Sequence, residues 1–199
     1  QVEEKKKEKL DPYDLMSEYY MNNFHPHEKG NWYTGFAFHL TSQNLENINQ
    51  LIYQVIEGDE NKYGLTFKAG YFIGDYTMVG ADLIYNRDKF IGNVVQSGDS
   101  ILKQKVSSIG MVRPVLTTYF PLTKNHRLSF YNKIGFGISL GNELERNTSV
   151  QDIISKKYNK NFGFSVGISP GITFFAMENF AFEVELQNLL GYEYMVTNT

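Results

Sequence analysis

Phe162-Gly-Phe-Ser-Val-Gly-Ile-Ser-Pro-Gly-Ile-Thr-Phe174 alternates a bulky apolar side chain with a small or hydroxylated one, interrupted only at Pro170. Side chains that alternate with period two belong to a strand with chemically different faces. The run is also long. Strands of globular proteins usually have about 5–6 residues, whereas a strand crossing a bilayer needs about 9–11.

The same alternation recurs at residues 32–41, 63–73, 76–85, 107–120 and 128–140, then in the quoted run as 162–175, and finally at 180–192. That predicts seven strands. Gly74-Asp75, residues 121–126 and residues 176–179 connect them at one end. The connections at the other end, 42–62, 86–106 and 141–161, are long, polar and rich in Asn, Ser, Asp and Glu. Short turns at one end and long loops at the other is the asymmetry of bacterial outer-membrane barrels.

Parity separates the faces. One carries Trp32, Phe36, Phe38, Leu40, Leu65, Phe67, Leu83, Leu116, Phe130, Phe136, Phe164, Phe174, Phe182 and Val184; the other is dominated by Gly, Ala, Ser and Thr. The interior of an eight-stranded barrel is only just wide enough to be filled by side chains. It cannot hold that aromatic set, so the bulky face points outward, toward lipid. Within the seven strands the charges are Lys68, Asp82, Arg113, Lys133, Glu183 and Glu185, all with the parity of the small-residue face. Three are positive and three negative. They predict a neutral salt-bridge network bracing a narrow lumen, since buried charge needs pairing. A proton or ion path, or a binding pocket, is the alternative use of that layer.

Composition agrees with many strands: 199 residues, 15 Phe, 14 Tyr, 17 Gly, one Trp and no Cys. The length suits one domain. Without cysteine there is no disulfide scaffold, thiolate metal site or Cys nucleophile. A net charge of −3 and no basic run in the body of the chain predict no nucleic-acid partner. No apolar stretch reaches the length of a transmembrane helix. The mean hydropathy of −0.36 would ordinarily indicate a soluble protein, but it averages an outward apolar set with lumen residues and polar connections.

The first 30 residues read as a separate periplasmic segment, charged and partly helical or disordered. They hold 12 of the chain's charged residues, 19 of which are basic and 22 acidic in total. Residues 13–24 have helix-compatible spacing, and a docking peptide is the alternative to a solvated leader. The chain begins with Gln1 rather than Met, which suggests removal of an upstream segment. Residues 31–199 read as the barrel.

Gly167-Ile-Ser-Pro-Gly-Ile-Thr-Phe-Phe-Ala-Met-Glu-Asn-Phe-Ala-Phe-Glu-Val-Glu185 and Pro114-Val-Leu-Thr-Thr-Tyr-Phe-Pro-Leu122 resemble the OmpA/OmpX-like outer-membrane β-barrel domains common in Bacteroidetes. The likeness spans residues 32–194 and rests on loose motifs. That family often has Arg two positions before the Tyr; this chain has Thr117 there and its Arg at Arg113. The resemblance implies an all-β, antiparallel up-and-down transmembrane barrel of eight strands and no particular activity. Seven strands are visible. Either the chain given is truncated or another segment closes the gap, with 91–95 and 49–56 as candidates.

The residues weighed for chemistry are few. His25, His27 and His126 fall at the short-turn end, where His25-Pro-His27 lacks a third ligand at metal spacing and reads as a solvated turn. His39 has lumen parity near the long-loop end, without an identifiable orienting acid. No catalytic residue, metal ligand or cofactor is assigned. Pro114, Asn132, Pro170 and Asn188 lie at outward parity and are either local bulges or a stripe where another membrane protein docks. The expectation is a non-enzymatic structural or interaction component of the outer membrane, an accessory subunit of a larger complex. Its partners would be the lipid bilayer and another outer-membrane or periplasmic protein. A barrel enzyme acting on outer-leaflet lipid or extracellular peptide, and a soluble lipocalin-like binder, are the alternatives.

Overall fold

A computed structural model describes residues 25–49, 54–96, 99–149, 154–177 and 179–198. The helix-compatible stretch 13–24 and the charged leader lie outside them. The strands are β1 (Trp32–Asn49), β2 (Gln54–Gly74), β3 (Thr77–Gln96), β4 (Asp99–Pro121), β5 (Leu128–Ser149), β6 (Ile154–Met177), β7 (Phe180–Glu185) and β8 (Leu190–Asn198). Each of β1 to β6 pairs antiparallel with the next, and β8 pairs with β6 as well. The result is one up-and-down antiparallel sheet that is not closed.

β7 and β8 are successive halves of one column. Thr173 faces Glu183 and Gly171 faces Glu185 on β7, while Gly167 faces Gly191 on β8. Six steps on that column therefore cover four on β6. The single strand predicted over 180–192 is interrupted by this two-residue bulge, and its cause lies on β6. Pro170 has no N–H to offer the ladder. Its carbonyl accepts the Leu186 amide at 2.9 Å, Ser169 Oγ accepts the Asn188 amide at 2.9 Å, and Asn188 takes a left-handed φ of 49°. Asn tolerates that region better than most residues. The eight strands thus occupy seven columns.

Where they are described, the long loops expected at 42–62, 86–106 and 141–161 are instead continuations of the strands. Pairing runs unbroken in direction to Asn49 opposite Gln54, Gln96 opposite Asp99 and Thr148 opposite Ile154, which gives strands of 18 to 24 residues for β1 to β6. Sequence alternation fails there because apolar and polar residues mix on each face, Leu45 and Phe90 inward with Glu60 and Lys105, Ile91 and Leu144 outward with Lys89 and Arg146, while the backbone ladder needs no apolar period to form. Residues 91–95, considered as a closing strand, continue β3; of 49–56, Asn49 ends β1 and 54–56 open β2, and 50–53 lie outside the described residues. Near the tips Leu45, Val55, Phe90 and Val94 form a buried cluster with Ile101 packed on it. Lys105–Glu143 (2.8 Å) and Lys103–Glu145 (3.4 Å) cross-link β4 to β5 on the same concave face below it.

At the short-turn end residues 25–31 fold across the mouth. Gly30 N donates to Phe72 O, Phe72 N to Asn31 O, and Tyr76 N to His27 O. This strap inserts the His27 ring among Phe72, Tyr119 and Phe175, stacked on Tyr119 at 4.1 Å between centroids. His27 is only 3% exposed. The solvated-turn reading of His25-Pro-His27 therefore fails for His27, which the apolar rings converging on the mouth enclose.

Candidate functional site: a charged layer inside the curled sheet

Cross-strand register assembles the layer. Lys68 lies opposite Asp82, and Asp82 opposite Arg113. Lys133 lies opposite Ser169, and Glu185 opposite Gly171. Every one of these has concave-face parity, so six side chains from β2, β3, β4, β5 and β7 meet at one height. The structure brings together the whole predicted set.

Glu185 sits at the hub. It accepts from Lys68 Nζ at 2.9 Å, from Tyr131 Oη at 3.2 Å and from Lys133 Nζ, with Arg113 Nη2 at 3.8 Å. Asp82 takes Arg113 Nη2 at 3.0 Å and Lys133 Nζ at 3.6 Å. Glu183 receives Tyr33 Oη at 2.7 Å, Lys68 Nζ at 3.2 Å and Thr173 Oγ1 at 3.3 Å. Lys68, Asp82, Arg113 and Lys133 are all buried. Charges in such a place are stable only with neighbours of opposite sign and saturated donors. Three cations and three anions balance in sign, so the layer carries no net charge, although Arg113 Nε and Glu185 Oε1 are buried without a hydrogen-bond partner among the described residues.

Below the charged layer Phe72, Met78, Tyr119 and Tyr131 form a second buried cluster, with Tyr33 and Tyr76 packed against it and His27 beneath. The sequence reading gave Tyr33, Tyr131 and Thr173 no part in this layer and set Asn188 on the outward stripe. The first three carry the same parity as the charges, so the sequence does hold their signal. Asn188 had no such signal. The bulge turns its side chain inward, where Oδ1 accepts from Arg113 Nη1 at 3.3 Å.

Asn188 therefore leaves the outward stripe proposed for partner docking. Of the remaining three, Asn132 and Pro170 are direct cross-strand partners. Pro114 lies on β4 where the pairing with β5 lapses between Val112 and Val115, as expected of a residue without an amide hydrogen. His39 leans over Gly64 beside Asn86 and belongs to the part of the lumen above the charged layer. The rings of His25 and His126 lie 4.8 Å apart, tilted by 35° to each other. Among the described residues no group of three or more His, Asp or Glu is arranged to hold a metal.

The first and last columns approach without pairing. Tyr33 on β1 reaches Glu183 on β7, yet no ladder joins these strands. Outward residues at the edges are correspondingly bare: Phe38 on β1 is 72% exposed and Val184 on β7 71%, against 49% for Phe67 inside the sheet. β1 and β7 also run in the same direction, since an even number of antiparallel steps separates them.

Fold and interior together define a barrel-like, antiparallel all-β protein, curled around a salt-bridged core and open along one seam. Comparison with protein-family models, curated proteins and solved structures finds no match to this chain.

Proposed function

We propose that the protein is a non-enzymatic β-barrel of the outer membrane, a structural or interaction component whose lumen is braced and blocked by its charged layer. One observation carries the reading. From Val112 to Phe120, Leu128 to Leu140 and Phe162 to Phe174 the convex face presents large apolar side chains to the surroundings, while the charges of those segments face inward. Monomeric soluble proteins rarely expose contiguous apolar patches beyond a few hundred Å². In a bilayer the same belt is the ordinary solution. The resemblance to OmpA/OmpX-like barrels supports the same assignment, with the strap at the periplasmic mouth and the long hairpins extracellular.

A membrane does not tolerate open sheet edges. The directions of the two edges suit one further strand at the seam, antiparallel to both β1 and the β7–β8 column, which would bring the barrel to eight columns. Refolding into phosphatidylcholine vesicles tests the assignment. A folded form that requires detergent or lipid and migrates faster on gels before boiling is expected, with no large stable conductance in planar bilayers. A monodisperse, lipid-independent fold would overturn the membrane reading, and porin-sized channels would overturn the blocked lumen.

A further inference from the structure

Charge on the convex face is segregated. Outward-facing residues on β3 to β6 include five cations, Arg87, Lys89, Arg146, Lys156 and Lys160, and no acid among the described residues. The acids of the same stretches, Asp88, Glu143 and Glu145, have concave parity. The outward acids Glu46, Glu57 and Asp59 are confined to β1 and β2. All five cations are exposed, and all lie on the long-hairpin side of the apolar belt. Arg146 and Lys156 face each other directly across the β5–β6 ladder, a like-charge pairing that costs stability in the absence of an anion.

Immediately below the cations the belt is indented. Gly110 is outward-facing, and a Cβ built there meets no atom within 4 Å. An apolar depression of about 710 Å³ runs from Phe36 on β1 and Phe67 on β2 past Leu83, Tyr85 and Gly110 to Ile138 and Leu140 on β5. Register places Arg87, Ser108, Asn142 and Lys160 in the next outward row above Tyr85, Gly110, Leu140 and Phe162. An apolar hollow under a row of cations and hydrogen-bonding groups complements an amphiphile with an anionic head.

We infer that this face of β3 to β6 is a binding site for a lipid with a phosphorylated, net-anionic headgroup. An acyl chain lies in the depression at Gly110, and the phosphate is held by Arg87, Lys160 and their neighbours. The site rests on the membrane reading. It deepens that reading by making the outer-leaflet side of the barrel selective for charged lipid rather than merely soluble in it. Cations next to an anionic lipid surface attract it additively and in a salt-dependent way.

Quenching by brominated acyl chains tests both parts. The reporter is Phe162→Trp in a Trp32→Phe background, refolded into vesicles of phosphatidylcholine with added phosphatidylglycerol, brominated one lipid at a time. Brominated phosphatidylglycerol is expected to bind at the reporter about fivefold or more tightly than brominated phosphatidylcholine. Changing all five cations to Gln should bring that ratio to about one, and Gly110→Leu should weaken quenching by filling the depression. Inorganic phosphate should not compete. A second reporter, Phe182→Trp near the short-turn end, should show no selectivity. Equal binding of the two lipids, a ratio unmoved by the Gln variant, quenching unmoved by Gly110→Leu, or displacement by inorganic phosphate would each overturn the site. Failure of either brominated lipid to quench either reporter would instead sink the membrane reading itself.

Discussion

Tyr33 on β1 donates a 2.7 Å hydrogen bond to Glu183 on β7, joining residues 150 positions apart at the two free edges of the sheet. Lys68, one column in from β1, reaches Glu183 and Glu185 as well. These side chains, rather than a backbone ladder, hold the sheet in its curl.

Tyr33→Phe removes the hydroxyl and keeps the ring among Phe72, Tyr119 and Tyr131. Hydrogen bonds to charged groups contribute about 1.5–3 kcal/mol. Glu183 retains Lys68 and Thr173, so the lower part of that range is expected. Urea unfolding of the refolded protein measures it, and an unchanged midpoint would show that the seam is held by other means.

Arg113 and Asp82 are buried partners at 3.0 Å. Arg113→Met leaves Asp82 with only the more distant Lys133 and frees the Asn188 side chain. Breaking one half of a buried pair costs about 3–5 kcal/mol, whereas replacing both halves with apolar groups is often nearly neutral. The double variant Arg113→Met/Asp82→Leu is therefore expected to be more stable than Arg113→Met alone. A double-mutant cycle read by urea denaturation checks the sign, and additive losses would mean that the pair is not coupled.

Burial, reinforced by the nearby His126 charge, pushes His27 down from the usual 6.5 to about 4. Both His27 ring nitrogens lack a hydrogen-bond partner among the described residues. Between about pH 6.5 and 4 the unfolded chain binds a proton at this site that the folded chain does not, so stability falls as the pH drops through that window and levels off below it. The shift corresponds to a loss of about 3 kcal/mol. His27→Phe should remove this part of the pH dependence while His25 and His126 stay in place. Protease accessibility of the strap, followed from pH 7 to 4, reports the opening directly.

Gly80 and Gly110 are both strand glycines with opposite surroundings. A Cβ on Gly80 would lie 2.3 Å from the Ala69 carbonyl oxygen and 3.0 Å from the Gly70 Cα, both backbone atoms. One on Gly110 would meet nothing. Gly80→Ala is expected to destabilise by about 1–3 kcal/mol through overpacking. Gly110→Ala should stay within about 0.5 kcal/mol. Equal effects would mean that β2 and β3 do not approach as closely as the register requires.

The residues that alternate were legible from one end of the sheet to the other. Phe162 to Phe174 announced a two-faced strand, and the concave parity of Lys68, Asp82, Arg113, Lys133, Glu183 and Glu185 announced their meeting. The continuations of β1 to β6 were not legible, because a strand that mixes apolar and polar residues on both faces leaves no period to read. His27 was misjudged for a related reason. A histidine beside a proline carries no local mark of burial, and the rings of Phe72, Tyr119 and Phe175 that enclose it come from three other strands.

The sequence by itself determined which face is bulky, which is charged and where the short turns fall, since side-chain parity is a local property of an extended backbone. Only the tertiary structure decided that Asn188 turns inward at a bulge opposite Pro170 and that Tyr33 spans the seam. Only it showed that the outward cations gather above the hollow at Gly110. Those depend on register between strands distant in sequence, which hydrogen-bond pairing across the sheet sets and no single segment encodes.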